Sequence, residues 1–391
     1  MRNRASLTLL LLSLSHLLID MHSSMLPVVL VYLRSALGLS ISQVGLVAGV
    51  YNFGISLGQP LFGYMSDRWG ERLLTTVALV WVAFTGAGLG FVPSFGALLL
   101  LAGLQAVGPA TFHPPGAAGA GRLAIGKQGF SMSFFLAGGS VGNALGPLVA
   151  AGVLETAGLH GTALIGLGAL TATVVLAWQM RRHWHTGRLR SDPSGPASQP
   201  EPTPEKRPAR LASAAVVALG TLFLITAVRT SVQMSLSTYV PQLLTLQGME
   251  PAQAGRWLSA MLAGAMVGVF SGGPLSDRLG RRAVTTLSMA ILGGTLLLWA
   301  TGAPVPTGIL VIVCGVAVGI PLSQTLLIGQ AFFKEGTGLA SGLILGTSFV
   351  AGAAGVTLTG AVAQAWGFPA ALAALGALSL AAAVGGIALP R

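Results

Sequence analysis

Twelve apolar runs dominate this chain of 391 residues, and each is about the 20 residues that an α-helix needs to cross a bilayer. They fall near 7–33, 42–65, 73–92, 95–118, 129–153 and 160–180, and again near 211–240, 252–275, 283–301, 307–331, 339–363 and 367–389. Hydrocarbon offers backbone groups no water, so a run of this kind is restricted to structures that satisfy those groups internally. Only 8% of the residues are charged and 53% are hydrophobic, against roughly 25% charged in a soluble domain. The expected fold class is an all-α membrane protein of twelve transmembrane helices in two six-helix halves. The expected division is an N-terminal half at 1–180, a cytoplasmic linker at 181–210 and a C-terminal half at 211–391.

The halves are related. Gly63-Tyr64-Met65-Ser66-Asp67-Arg68-Trp69-Gly70-Glu71-Arg72 returns 210 residues later as Gly273-Pro274-Leu275-Ser276-Asp277-Arg278-Leu279-Gly280-Arg281-Arg282. Thr75-Thr76 likewise returns as Thr285-Thr286. A self-similarity of this length makes pseudo-symmetry the organising principle of the chain. Each copy lies between the second and third spans of its half. The pattern G-x-x-x-D-R-x-G-x-R resembles the signature loop of the major facilitator superfamily, and the resemblance implies a gating role for Gly63, Asp67, Arg68, Gly70 and Arg72, and for Gly273, Asp277, Arg278, Gly280 and Arg282.

The net charge of +11 marks topology rather than nucleic-acid binding. With a cytoplasmic N-terminus, the inner face holds Arg2, Arg4, Arg68, Arg72, Arg122, Lys127, Arg278, Arg281, Arg282, Lys334, Arg391 and the linker, and the outer face only Arg34 and Arg256. Cytoplasmic loops carry such an excess of Lys and Arg, so both termini are expected inside. The leucine run after Arg2 and Arg4 is read as the first span and not as a signal peptide, because it continues through Val31 without a small-x-small cleavage site. The linker, with six prolines from Pro193 to Pro208, has no means of burying a core. One cysteine, Cys314, excludes an internal disulfide framework and a cysteine-based zinc site. No metal-ligand spacing appears, no nucleophile has an evident base, and no cofactor is expected.

Two charges lie deep in spans, and such residues are functional candidates by default. Asp20 sits midway along helix 1 and Arg229 is similarly deep in helix 7. Displaced by 210, Asp20 becomes Thr230, the neighbour of Arg229, so the two are expected at nearly the same depth and able to pair. His16 precedes Asp20 by four residues and shares its helix face; an imidazole beside a carboxylate is a plausible proton relay. His22 points to a different face. Gln233 follows Arg229 at i+4 and extends a polar stripe. Phe112-His113-Pro114-Pro115 is expected to break helix 4, which would place His113 at a disrupted end. These residues divide into proton-coupling candidates (Asp20, His16, His113) and substrate-binding candidates (Arg229, Gln233, Asp20, His113).

Helix 5 carries Gly138-Gly139-Ser140-Val141-Gly142-Asn143-Ala144-Leu145-Gly146-Pro147. Its Gly142-x-x-x-Gly146-Pro147 core suits close helix packing and resembles the helix-5 motif of exporters that exchange substrate for protons. Together with His16-Leu17-Leu18-Ile19-Asp20-Met21, Gln59-Pro60 and Gly108 through Pro114, it resembles the fosmidomycin-resistance branch of the same superfamily. Two departures stand out: Pro115 replaces an acidic residue, and the helix-4 arginine of many proton-coupled exporters is absent from Leu101–Gln105. The resemblance implies a monomeric transporter of the bacterial inner membrane, an antiporter exchanging protons for a small drug-like or anionic, phosphorylated molecule. Uptake or facilitated diffusion of a sugar or organic anion is the alternative within transport, and a non-transporting membrane sensor the alternative outside it. The partners are then a small-molecule substrate, protons and the lipid bilayer.

Overall fold

A computed structural model describes the backbone of residues 2–123, 128–183, 209–322 and 337–387. Side chains are described over the same ranges apart from 2–4, 67, 128–130, 209–219 and 337–347. Most of the expected linker, the basic residues Lys127, Lys334 and Arg391, and the side chains of Arg2, Arg4 and Asp67 therefore lie outside the described residues.

The described chain is helical and contains no strand. The first half comprises α1 (Arg2–Leu37), α2 (Ile41–Trp69), α3 (Glu71–Gly88), a 3-10 turn (Leu89–Phe91), α4 (Phe95–Arg122), α5 (Gln128–Ala157) and α6 (Gly161–His183). The second comprises α7 (Ala209–Leu246), α8 (Pro251–Leu279), α9 (Arg281–Ala300), α10 (Thr307–Gly319) and α11 (Thr337–Gly386). The 50-residue α11 is two limbs joined at Gly367, whose φ of +82° only glycine adopts readily, and Pro369 follows. Counted as two, the limbs give twelve helices, consistent with the twelve apolar runs. Nine of the described helices are long and apolar enough to cross a membrane.

The repeated loop owes its glycines to geometry. α2 ends at Trp69 and α3 begins at Glu71, so Gly70 alone turns the chain, with φ +88° and ψ 140°. Gly280 does the same between α8 and α9 with φ +86° and ψ 144°. Nothing lies within 4 Å of where a Cβ would stand at either position; the requirement is conformational, not spatial. The Gly70 and Gly280 N–H groups donate to the Ser66 and Ser276 carbonyls, and Thr75 and Thr285 are both fully buried.

Close approach of helices rests on glycine. A Cβ at Gly138, Gly142 or Gly146 of α5 would stand 2.3, 2.2 and 2.2 Å from the carbonyl oxygens of Ser13, Leu17 and Met21 on α1. In the second half, α8 and α10 meet in the same manner, with Gly315 and Gly319 against the Met261 and Ala265 carbonyls. Along α2, Gly54 and Gly58 admit Ala106 and Ala110 of α4, and Gly63 lies against Pro114.

Among the described residues, contacts between the halves gather where α1 turns into α2, the Ser40 end of the bundle. There the Ile41 N–H donates to Gln364 Oε1 at 3.0 Å, Thr357 Oγ1 approaches the Gly45 carbonyl at 3.4 Å, and the Tyr239 hydroxyl lies where a Cβ of Gly45 would stand. Across the other seam, Ser259 of α8 donates to the Ala144 carbonyl of α5, and Arg256 pairs with Glu155. Cys314 is fully buried.

Candidate functional site

Helix α4 corrects one expectation. It runs from Phe95 to Arg122 without interruption, through Pro109, Pro114 and Pro115. Proline costs a helix its N–H and a clash with the preceding turn, but its fixed φ near −65° is itself helical. Neighbouring helices supply the rest: α2 packs Gly58 and Gly63 against this segment, and Phe135 lies beside Gly116. His113 therefore sits on a continuous helix wall, not at a broken end.

Three helices bring polar groups to one carboxylate. Asp20 on α1 faces His16 Nε2 at 3.3 Å through Oδ2 and His113 Nε2 at 3.1 Å through Oδ1. Asn143 Nδ2 on α5 donates to Oδ2 at 2.8 Å. The Asp20 side chain is 13% exposed and that of His16 6%, against 28% for His113. The glycines explain how Asn143 reaches. A Cβ at Gly139 would stand 2.5 Å from His16 Nε2 and 2.6 Å from Asp20 Oδ2, so a bare backbone opens the space the cluster fills.

One proton in this cluster follows from hydrogen-bond chemistry. His16 Nδ1 lies 2.9 Å from the Phe135 carbonyl oxygen, which only accepts, so Nδ1 carries hydrogen. If His16 were neutral, its Nε2 would then present a lone pair to the Asp20 carboxylate, an arrangement low dielectric disfavours. A hydrogen lies between the two, on Nε2 or on the carboxyl oxygen. The His16 ring is held in place, stacked on Phe135 at 4.2 Å and near Phe112 at 5.6 Å. His22 points away, its Nδ1 on the Leu18 carbonyl and its ring beside Gly86 of α3.

Arg229 forms a separate centre and corrects a second expectation. It is 4% exposed, and it donates to Gln233 Oε1 at 2.7 Å and to Thr230 Oγ1 at 3.0 Å, while its Nε has no partner. Among the described residues it makes no ion pair with Asp20. The 210-residue register equates depth along the bundle but not direction about a helix axis. Asp20 is turned toward α4 and α5 by the glycine interlock, while α7 keeps Arg229 among its own polar side chains.

Other candidates are dispersed. Arg68 lies over the Tyr64 ring at 4.6 Å, and Asp277 is exposed with no ion pair among the described residues. Glu71 pairs with Arg122 at the end of α4. Sequence reasoning missed Asn143, Phe135 and Glu71–Arg122. Of these, only Asn143 left a signal, as the one amide in a run of glycine and small apolar residues. The ligand-type atoms of His16, Asp20 and His113 also lie within 4.8 Å of one another, a convergence that linear spacing conceals because α1 and α4 are far apart in the chain.

Nine described helices long and apolar enough to cross a membrane, in a chain whose signature loop returns 210 residues on, with polar clusters buried along them, define an integral membrane protein. The chain belongs to the Major Facilitator Superfamily, whose sequence profile matches residues 12–333 and 222–391. It is 30% identical over 358 residues to the fosmidomycin resistance protein of Escherichia coli K12, covering 90% of this chain and 85% of that one. It is 27% identical to the uncharacterized MFS-type transporter YfnC of Bacillus subtilis 168, over 92% and 87% of the two chains. Among solved structures, a D-xylose-proton symporter superposes with a TM-score of 0.79 at 15% identity, over 98% of this chain and 97% of that one. A bacterial homologue of the human lysosomal transporter Spinster, inward-facing and occupied, gives 0.76 at 18% identity over 98% and 94%. At these identities the superpositions speak for the fold alone.

Proposed function

We propose that the protein is a secondary active transporter that exports a small drug-like, anionic or phosphorylated molecule in exchange for protons by alternating access. The observation that carries this reading is the His16–Asp20 pair, which holds one proton by hydrogen-bond necessity while His113 and Asn143 occupy the remaining carboxylate positions. In this reading Asp20, His16 and His113 handle the proton. Arg229 and Gln233 bind the substrate, with Asp20 and His113 facing it in another conformation. Arg229 is effectively always charged, and its guanidinium offers two parallel donors to a carboxylate or phosphonate. The partnerless Nε favours that role over a purely structural one. The cluster with one proton is neutral overall, so a second proton or an arriving anion changes its charge, which is one physical route to coupling. The resistance protein among the relatives favours export over uptake.

Gly63, Asp67, Arg68, Gly70 and Arg72, with Gly273, Asp277, Arg278, Gly280 and Arg282, act in gating, and Gly142, Gly146 and Pro147 hold α5 to α1. The halves are 1–180 and 211–391, joined by a cytoplasmic linker at 181–210, and the protein works as a monomer in the bacterial inner membrane with both termini inside. On the Lys and Arg distribution, the Ser40 end is the outer one. The contacts gathered there then close the outer side, as alternating access requires of an inward-facing state. The test is flux from proteoliposomes of purified protein under imposed pH gradients, with anionic phosphonates, sugar phosphates and lipophilic cations offered in turn. Substrate movement against a proton flow of opposite direction supports the reading. Movement in the same direction as the protons makes the protein a symporter, and absence of gradient dependence for every compound removes the proposal.

A further inference from the structure

We propose that His16, Asp20 and His113 form a binding site for zinc, which acts on the transporter as a reversible inhibitor. The site stands on geometry alone, and only the inhibition rests on the proton-handling role given to the cluster under Proposed function. Zinc takes imidazole nitrogen and carboxylate oxygen at about 2.0–2.2 Å in a tetrahedron, whose edges are then about 3.3–3.6 Å long. His16 Nε2 stands 3.3 Å from Asp20 Oδ2, and His113 Nε2 stands 3.1 Å from Asp20 Oδ1. One ligand atom from each of the three residues lies within 4.8 Å of the other two. The two imidazole rings are 5.4 Å apart between centroids and inclined at 71°, so both nitrogens converge on the carboxylate without stacking.

The surroundings are those of a metal ligand set. A histidine that binds metal through one nitrogen ordinarily donates its other N–H to a carbonyl or carboxylate, which fixes its tautomer and direction. His16 does so through Nδ1 to the Phe135 carbonyl at 2.9 Å, which leaves Nε2 aimed at Asp20, and its ring is stacked on Phe135 at 4.2 Å. A ligating carboxylate is in turn hydrogen-bonded, and Asp20 Oδ2 accepts from Asn143 Nδ2 at 2.8 Å. The bare backbone of Gly139 keeps any side chain of α5 off His16 Nε2 and Asp20 Oδ2, since a Cβ there would stand 2.5 and 2.6 Å from them. Asp20 has no lysine or arginine partner among the described residues, so its charge is left for a cation. His113, 28% exposed against 13% for Asp20, is the open side, where water can take the fourth position. Two imidazoles with a single carboxylate favour zinc over magnesium, which asks for oxygen. An ion seated here occupies the position between His16 and Asp20 that otherwise holds a hydrogen.

The full-length protein is purified without a polyhistidine tag and carries His183→Ala and His185→Ala, which remove the His-x-His pair from the sequence. This parent is titrated with Zn²⁺ and with Mg²⁺ by isothermal calorimetry, and thermal unfolding is followed with and without each ion. One Zn²⁺ per chain is expected to bind and raise the unfolding temperature, and Mg²⁺ to do neither. Asp20→Asn and His113→Gln are each expected to abolish the Zn²⁺ response. Asn143→Ala, which keeps all three ligands and removes the support of one, is expected to weaken Zn²⁺ about ten-fold. An unfolding temperature without metal that matches the parent certifies the fold of each variant, and His113→Gln, at the most exposed of the three positions, is the mildest. Zn²⁺ binding undiminished in both Asp20→Asn and His113→Gln would place the ion elsewhere and overturn the site, as would an equal response to Mg²⁺. Zn²⁺ is further expected to arrest gradient-driven flux of an anionic phosphonate in the parent. Zn²⁺ bound at the cluster with undiminished flux would keep the metal site and remove the proton-handling role. Gradient-driven flux without any Zn²⁺ binding would overturn the metal site and leave that role standing.

Discussion

Replacing Gly142 by alanine adds one methyl group where there is no room for it. The new carbon would stand 2.2 Å from the Leu17 carbonyl oxygen and 2.9 Å from the carbonyl carbon and Cα of the same residue. All three are backbone atoms of a packed helix, so no rotamer relieves the contact. Carbon and carbonyl oxygen settle at about 3.3–3.6 Å, and α5 must therefore retreat from α1 by about 1 Å. The next residue is Asn143, whose bond to Asp20 is 2.8 Å long; a retreat of that size along the bond carries it beyond hydrogen-bonding distance. Overpacking of this kind costs about 1–3 kcal/mol in stability. Loss of a hydrogen bond to a charged group is worth about 1.5–3 kcal/mol, equivalent to a ten-fold or larger change in an equilibrium constant. The assay is thermal unfolding of the purified protein alongside flux driven by a pH gradient. Gly152→Ala is the control, since Gly152 lies on the same helix with nothing within 4 Å of the added carbon, and there alanine gains up to about 1 kcal/mol of helix propensity. Gly142→Ala is expected to unfold well below Gly152→Ala and to lose most gradient-driven flux. Equal unfolding temperatures and equal flux in the two variants would refute the reasoning.

Asp20→Asn keeps the shape of the side chain and removes its charge, so gradient-driven transport is expected to disappear while substrate exchange without a gradient persists; retention of proton coupling would move the role to His113 or His16. Arg229→Lys is expected to weaken anion binding less than Arg229→Ala, because lysine keeps the charge and loses the fork, and normal anion binding in a folded Arg229→Ala protein would remove Arg229 from the site. Asp67→Asn is expected to slow turnover more than it weakens ligand affinity, measured by comparing initial flux with equilibrium binding; a large affinity loss at normal turnover would argue against gating. A cysteine placed at Ser94 is expected to react with an impermeant thiol reagent added outside intact cells, and protection there with reactivity only from inside would reverse the topology.

Periodicity and the repeat were enough to read the architecture, because twelve apolar runs and one duplicated loop leave few alternatives. His16 and Asp20 were legible as a pair for the same reason: a four-residue spacing has one meaning on a helix. The partners of that pair were not. Asn143 reaches Asp20 only because glycines at 138, 139, 142 and 146 bring α5 against α1, a tertiary fact with no local signature. The Phe135 carbonyl, which orients His16, belongs to the backbone and any residue supplies one. Pro114-Pro115 reads as a break when α4 is considered alone and is absorbed once α2 lies beside it. The anticipated contact of Asp20 with Arg229 failed because the register of a repeat conveys depth and says nothing about which way a side chain turns.

The contacts between the halves at the Ser40 end have an unusual composition. Gly45 and Gly49 face the Tyr239 hydroxyl and Thr357, Gly360 faces the Ile41 carbonyl, and Gly255 faces Ala151 and Val28. The Arg256–Glu155 pair lies at the edge with both side chains about half exposed, where water and salt weaken it. Steric fit rather than charge therefore holds this seam, and the balance between its joined and parted forms should be nearly indifferent to ionic strength yet acutely sensitive to volume. A single bulky side chain at position 45 or 49 becomes a wedge, able to trap the transporter parted at this end for study while the buried polar clusters remain unaltered.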